Sequence, residues 1–533
     1  MENTPNDSEK VKRGNSNIST SKIDNCVGDN DITTMWKNHY QRLFNSVNDS
    51  RIPHPFKSLN IESVELCDIN TINNVIIKLA NGKAPGGDRI TNEHLKFAHK
   101  RLNVLLMILF NGIIKHGYIP PKLLYSIITP VVKDKNESAS MKSNYRPIVL
   151  SNVIFKVFET IMLNRILNCV DTSYNQFGYK KGHSTEMAIF VLKDLIKYYN
   201  LHGSPIFICF LDASKAFDQV NYRILFDKLF HTKIPLFLLR LLVYMYDNQH
   251  ISICWNGFIS GEFMASNGIK QGSVLSPFLF NIYMNQLSTN LNNVQCGCIV
   301  GDMILNHLLY ADDIVLFCPS VKGLQRLINI CGEYSIDNDI IFNVVKTKCM
   351  VITPKKYKNF NFPKLKLLDS FIEYSSDYKY LGHIICSNFN DDNDISRQTR
   401  LLYARGNVLI KHFMKCSSCV KIRLFKSYMS NIYCSHLWTN FSKKKINDIR
   451  VAYNNVFRRF FNIPRFMNGE VVSVSSALHE AGLQTFQEIV HKFAQSLIAR
   501  SYNSESCILL NMSKTGFIGR SPTVLFWEDN SEV

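Results

Sequence analysis

Short apolar runs recur along this chain at strand length: Ile127 to Val132, Ile206 to Leu211, Ile251 to Trp255, Leu308 to Tyr310 and Ile314 to Cys318. Between them lie longer stretches with helical spacing, at Val153 to Leu167, Thr185 to Tyr199 and Pro277 to Leu287. From about 70 to 125 the pattern is helical around the turn Lys83-Ala84-Pro85-Gly86-Gly87-Asp88. After about 395 it reads helical to the end, with Phe486, Val490, Phe493 and Leu497 on one stripe. The first 33 or so residues are polar and are expected to be disordered. A helix then starts near Thr34, with Trp36, Tyr40, Leu43 and Phe44 on one face. Strands and helices alternate without a strict βαβ rhythm, which predicts an α+β fold.

Composition changes this picture in one respect. Of 533 residues, 46% are hydrophobic and 20% charged, ordinary for a globular chain. The 61 lysines and arginines outnumber 43 acidic residues, giving +18, an excess that points to a polyanionic partner. The 15 scattered cysteines show no disulfide framework, and no signal peptide stands at the start. The most apolar windows, Val104 to Ile114 and Pro235 to Tyr246, are too short to span a bilayer. The expectation is a soluble, intracellular protein with free thiols and no membrane partner.

Two acidic segments carry the candidate chemistry. Tyr310-Ala311-Asp312-Asp313 lies between the apolar runs Leu308 to Tyr310 and Ile314 to Phe317, which predicts a β-hairpin with carboxylates at its tip. The aromatic-x-Asp-Asp pattern alone is weak, arising by chance in roughly one chain of this length in ten. Phe389-Asn390-Asp391-Asp392 repeats it here, but without apolar flanks, and reads as a turn or solvated loop. Upstream, the run Ile206 to Leu211 ends abruptly in Asp212. Alone, Asp212 reads as a helix N-cap. Together with the hairpin it suggests a shared site, because crowded carboxylates need a cation to offset their repulsion.

In order and spacing these segments resemble the reverse transcriptase of non-LTR (LINE-type) retrotransposons, from about Lys83 to beyond Arg465. The resemblance implies a right-hand polymerase with a ferredoxin-like antiparallel palm sheet and a helical thumb. It makes Asp212, Asp312 and the carbonyl of Ala213 ligands of two Mg2+ ions, with Mn2+ as a substitute, and Asp313 a support. Phe217 falls at the sugar-gate position, where its ring would exclude a 2′-hydroxyl; the alternative is a core residue. Gln271 and Gly272, in Asn267 to Pro277, would lie along the nucleotide, and Lys133 and Arg146 would grip its triphosphate. Gly178, Lys181 and Gly182, in Gln176 to Thr185, would contact template, and His183 is expected to be structural. Lys346 would protonate the departing pyrophosphate, with a solvated lysine as the alternative. Tyr380, Leu381 and Gly382 would grip the primer. Arg397, Arg400, Arg405, Lys411 and Lys415 suit a hybrid-duplex backbone.

The expected organisation is a leader (1–33), a helical extension (34–125), fingers (126–205), palm with primer grip (206–390, interleaved with fingers), thumb (391–470) and a helical tail (471–533). The implied function is RNA-directed DNA synthesis, with an RNA template, DNA primer or RNA–DNA hybrid and deoxynucleoside triphosphates as partners. Arg89 departs from the small residue common after the Lys83–Asp88 turn, without implying inactivity. No segment fits an endonuclease, so one is expected to act in trans or to be missing from this copy. Cys416 and Cys419, with Cys434 and His436, are too irregularly spaced to predict zinc. Nuclear residence is expected, with cytoplasm as the alternative. The competing reading is a catalytically silent, truncated or repurposed nucleic-acid-binding protein. An RNA-directed RNA polymerase is disfavoured by Phe217.

Overall fold

The structure is a computed structural model that describes residues 22–48, 51–53, 56, 64–135, 137–354, 362–515, 518 and 521–529. Of the leader expected to be disordered, residues 1–21 lie outside the described residues, whereas 22–33 are ordered, because Ile23 and Ile32 are buried in the first unit's core. The principal elements in chain order are α1 (Asp29–Leu43), β1 (Ser126–Val132), β2 (Tyr145–Ser151), α2 (Val153–Leu167), α3 (Thr185–Leu201), β3 (Ile206–Asp212), β4 (His250–Trp255), α4 (Ser276–Asn292), β5 (His307–Tyr310), β6 (Asp313–Cys318), α5 (Val321–Asp337), β7 (Lys348–Ile352), β8 (Asp377–Tyr380), β9 (His383–Cys386), α6 (Asp392–Phe413), α7 (Lys443–Phe461), α8 (Phe486–Tyr502) and α9 (Pro522–Asp529). They form two compact units that interleave along the chain, 1–170 with 217–276 and 171–216 with 277–533.

In the first unit, β1 pairs antiparallel with β2 and parallel with β4. Pro130 and Pro147 face each other across the β1–β2 ladder. That is tolerated because β2 is an edge strand and the pairing of β4 with β1 ends at Ile128. The helix expected near Thr34 begins earlier, at Asp29, behind a small hairpin of Lys22–Ile23 with Cys26–Val27. Asp29 and Asp31 in its first turn suit the positive end of the helix dipole. Its Trp36 is fully buried, stacked on Tyr40 at 5.3 Å and packed on Tyr145 and Trp255. The helix is therefore part of this unit's core.

In the second unit the sheet order is β5-β6-β3-β7, closed by the two-residue strand Glu373–Tyr374. All pairs among the four long strands are antiparallel. β3 is central, and Ile206 to Leu211 are all buried, which is why its sequence is an unbroken apolar run. α3 supplies one wall of this core, with residues Met187 to Ile196 buried in succession. A second core joins α6, α7, α8 and the helix Ser418–Met429 through Leu402, Phe425, Tyr453, Phe457 and Phe486. The stripe expected on α8 is present, with Phe486, Val490 and Leu497 buried and Phe493 half-buried. The region after 395 also contains a short hairpin, Phe466–Met467 with Glu470–Val471, that the helical pattern did not foresee. Among the described residues no helix is long and apolar enough to cross a membrane.

The segment Phe389 to Asp392 is not the solvated loop its composition suggests. Asp391 is 4% exposed and bonds to Lys193 Nζ at 2.5 Å, just ahead of α6. Its other oxygen accepts the amides of Thr439 and Asn440. An acidic residue next to Asn and Asp reads as polar surface only while its partner, 198 residues away, is unknown.

Candidate active site

The hairpin forms as expected, with Tyr310 paired to Asp313 and only Ala311 and Asp312 in the turn. Ala311 takes a positive φ of 56°, the conformation that two-residue hairpin turns demand. The ladder sets Asp313 directly opposite Asp212 at the end of β3. Residues directly opposite in an antiparallel pair project from the same face. Two carboxylates from separate strands therefore share one edge of the sheet, with Asp312 beside them.

The electrostatics agree. Loss of water around it, then the charges of Asp312 and Asp212, push the Asp313 carboxyl up to about 6. The Asp313 side chain still reaches water at the hairpin tip, which limits the desolvation and leaves repulsion from Asp312 and Asp212 as the more secure cause. Lys346 Nζ lies 3.9 Å from Asp212 Oδ2, a long and largely exposed ion pair. Tyr179 and Tyr378 flank the cluster, and burial followed by these carboxylate charges raises both phenols, Tyr378 to about 12.

Among the described residues no three His, Cys, Asp or Glu side chains are gathered tightly enough to hold a metal ion by themselves. Near Ala213, the bridge to Phe342 uses the carbonyl of Asp212 and the amide of Ser214, not the carbonyl of Ala213. Cys419 is exposed while Cys434 and His436 are buried, and these groups are not gathered into a metal site.

The raised carboxyl gives a pH test. A group whose folded value lies above its ordinary 3.8 binds more protons folded than unfolded, so stability falls as pH rises from about 4 to about 6. Asp313→Asn should leave metal-free stability unchanged below that window and raise it above, as read by urea unfolding at pH 3.5 and pH 8. A gain of equal size at both pH values would show that the carboxylates do not repel.

The segment Gln176 to Thr185 packs beneath the hairpin. The Gln176 side-chain oxygen accepts the amides of Ala311 and Gly178, at 3.1 and 2.8 Å. Phe177 donates its amide to Leu309 O. A Cβ on Gly178 would stand 2.5 Å from the Ala311 nitrogen, so only glycine fits, and Asn281 Nδ2 holds its carbonyl. Gly178, expected at the template, is thus a backing piece for the turn, while Lys181 and Gly182 are exposed. His183 turns edge-on to Phe177 and meets Lys181 O, a structural contact. Gln176, Tyr179 and Tyr378 are site neighbours that the motifs alone do not reveal, although Gln176 opens one of them.

Leu381 and Gly382 are the two positive-φ turn residues between β8 and β9, and they are half-exposed. Tyr380 differs from the expected primer contact, for its ring is 2% exposed and packs on Phe210. Arg397 also departs from its expected duplex role. It is held by Asp394 at 2.7 Å and by Gly382 O at 2.6 Å, whereas Arg400, Lys411 and Lys415 are exposed.

The remaining residues belong to the first unit. Lys133 lies just past β1 with its ammonium on Ser143 O at 3.2 Å, and Arg146 is exposed on β2. Val149 of β2 donates its amide to Gln271 O at 2.8 Å. Gly272 has φ 113°, and a Cβ there would stand 2.9 Å from Val149 O. Behind this loop, buried Glu159 accepts the Ser273 hydroxyl at 2.6 Å, and Lys270 donates to Ser126 Oγ. Burial raises the Glu159 carboxyl and lowers Lys270 to about 8. Phe217 is half-buried, with its carbonyl bonded to the amide of Ile269.

Residues 132–385 match the family model described as Reverse transcriptase (RNA-dependent DNA polymerase). The chain is 24% identical over 503 residues to an RNA-directed DNA polymerase from the mobile element jockey of Drosophila funebris, covering 89% of this chain and 53% of that protein. It is 26% identical over 400 residues to a probable RNA-directed DNA polymerase from transposon X-element of Drosophila melanogaster, covering 72% and 43%. It is 25% identical over 329 residues to the Pol polyprotein of the type-2 retrotransposable element R2DM of the same fly, covering 59% and 30%. The chain thus spans about half or less of the length of these curated relatives. By its domain match and these relatives the chain is similar to the reverse transcriptases of non-LTR, LINE-type elements.

Proposed function

We propose that the chain is an RNA-directed DNA polymerase that extends a primer 3′ end with deoxynucleotides on an RNA template. The observation that carries this is Asp313 set opposite Asp212 across the ladder, with Asp312 in the adjoining turn. Asp212, Asp312 and the carbonyl of Ala213 hold divalent cations, Mg2+ or Mn2+ in its place. When bound, two such ions activate the primer hydroxyl and offset charge on the transferring phosphoryl group. The crowding that raises Asp313 supports this reading, because a cation reverses it.

The chain's own residues do the positioning. Lys133 and Arg146 neutralise the triphosphate, Gln271 and Gly272 bind the nucleotide, and Phe217 excludes a ribose 2′-hydroxyl. Lys346 delivers a proton to the leaving pyrophosphate. The Leu381-Gly382 turn and the exposed Lys181 and Gly182 contact primer and template. The β5-β6-β3-β7 sheet is the palm, the β1-β2-β4 sheet belongs to the fingers, and the helices from α6 form the thumb, whose Arg400, Lys411 and Lys415 face the hybrid. The protein works in the nucleus, together with an endonuclease acting in trans.

Purified protein with Mg2+ should extend a DNA primer on an RNA template. No extension over a range of salt and of Mg2+ and Mn2+ concentrations would overturn the polymerase reading in favour of a silent nucleic-acid-binding protein. Phe217→Ala should raise ribonucleotide use relative to deoxynucleotide by roughly a hundredfold, since a steric exclusion is removed. Unchanged discrimination would make Phe217 a core residue only.

A further inference from the structure

Next to Phe217 stands Asp218, an acid only 4% exposed. Its carboxylate accepts Gln271 Nε2 at 2.7 Å, and its carbonyl accepts Asn267 Nδ2 at 2.8 Å. The same two segments are joined by Ile269 N to Phe217 O and Gly268 N to Val220 O, both at 2.8 Å, and by a bridge from Asn221 to Asn267. They touch so closely that a Cβ on Gly268 would lie 2.5 Å from Asp218 O. Asn267 is fixed in turn from α1, accepting the amides of Ser46 and Val47 and donating to Leu43 O.

A glutamine amide has one donor end and one acceptor end, and nothing in its shape decides which faces a ligand. The Asp218 carboxyl oxygen accepts from the NH2 end of Gln271 and so turns the amide oxygen the other way. The Gln271 backbone is held separately, by Val149 N on its carbonyl. Gln271 is half-exposed, whereas Asp218 is buried behind it. We propose that Asp218 is a positioning residue for nucleotide binding, orienting the Gln271 amide and joining it to the segment that carries Phe217. This rests on the reading that Gln271 contacts the incoming nucleotide.

The test is a double-mutant cycle in primer extension with varied deoxynucleotide, paired with equilibrium binding of dATP, which reads the same contrast without turnover. Asp218→Ala should raise the nucleotide KM and dissociation constant about tenfold, the size of a lost hydrogen bond to a charged group, with kcat and primer–template affinity much less affected. Asp218→Asn, whose side-chain oxygen can accept the same N–H, should stay within about threefold of wild type. In a Gln271→Ala background, Asp218→Ala should add less than about twofold. If the alanine variant does not fold, Asp218→Ser, too short to reach Gln271, gives the same comparison. A full Asp218→Ala effect in the Gln271→Ala background overturns the proposal, as does an effect confined to kcat. A raised KM in Gln271→Ala with an unchanged one in Asp218→Ala sinks only the role of Asp218. Unchanged nucleotide binding in Gln271→Ala sinks the reading of Gln271 and the proposal with it.

Discussion

Asp212→Asn and Asp312→Asn should each reduce primer extension by about 10³-fold or more, because each removes a charge from a site that works by electrostatics and positioning. Asparagine keeps the size of the side chain and disturbs the fold little. Asp212 ends β3, where its carbonyl accepts the amide of Asn343, a bond the substitution leaves in place. Asp312 sits in a turn held by the Tyr310–Asp313 pair and by Gln176 beneath it. Affinity for a primer–template hybrid should stay within a few-fold, since that affinity comes from basic groups elsewhere. Asp313→Asn should cost less, about tenfold, because Asp313 supports the site and its charge is the one already pushed toward neutrality. The measurement is single-turnover extension beside hybrid binding for the three variants. Retention of a tenth or more of wild-type activity by Asp312→Asn would remove it from the catalytic set.

The strands of this site were legible because their surroundings are extreme. β3 is buried along its length, so Ile206 to Leu211 had no polar position to blur its limits, and the acid at its end stood out. The hairpin was legible for the same reason, with apolar runs on both sides of two acids. β2 was harder, since Arg146-Pro147 in the middle of a run suggests an irregular segment, and only its edge position makes the proline acceptable. β7 was missed as a strand because its run, Cys349 to Ile352, follows directly on a motif of basic and polar residues. What could not be read were partnerships across long separations. Gln176 reaches Ala311 over 135 residues, and Asp218 reaches Gln271 over 53. Side-chain hydrogen bonds of this kind leave no periodic signal, so a residue inside a recognised motif is readily given a ligand before its partners within the protein are known. Gly178 and Tyr380 show the same bias, both assigned to nucleic acid and both found packed against the chain.

Lys193→Met should destabilise the second unit by about 3–5 kcal/mol, the cost of removing one partner from a buried ion pair. Lys193 lies on α3 and is 4% exposed. Its ammonium donates to Asp391 at 2.5 Å and to Leu437 O at 2.7 Å, with His383 Nε2 at 3.4 Å. His383 is buried on β9 and faces Asp394 at 3.2 Å, which also takes Arg397 and the Trp438 indole. The network therefore joins α3, the β8–β9 hairpin, the start of α6 and the stretch from Leu437 to Asn440. Methionine fills much of the space but leaves the Asp391 carboxylate buried without its cation. The pH dependence separates this loss from simple repacking. Burial alone would raise Asp391; the Lys193 charge and then His383 overcome it and hold the carboxyl at about 2. A carboxyl held below its ordinary 3.8 adds stability that is complete above that value and disappears as pH falls toward 2. Without Lys193 only His383 and the amides of Thr439 and Asn440 oppose the desolvation, so the carboxyl should rise and the variant should instead lose stability as pH climbs above about 4. Urea unfolding of both proteins from pH 3 to pH 8 would show their difference widening with pH. Lys193→Met combined with Asp391→Leu should recover part of the loss, because an apolar pair leaves no stranded charge. A constant difference across that range, or a double variant weaker than Lys193→Met alone, would mean that packing rather than charge holds these elements together.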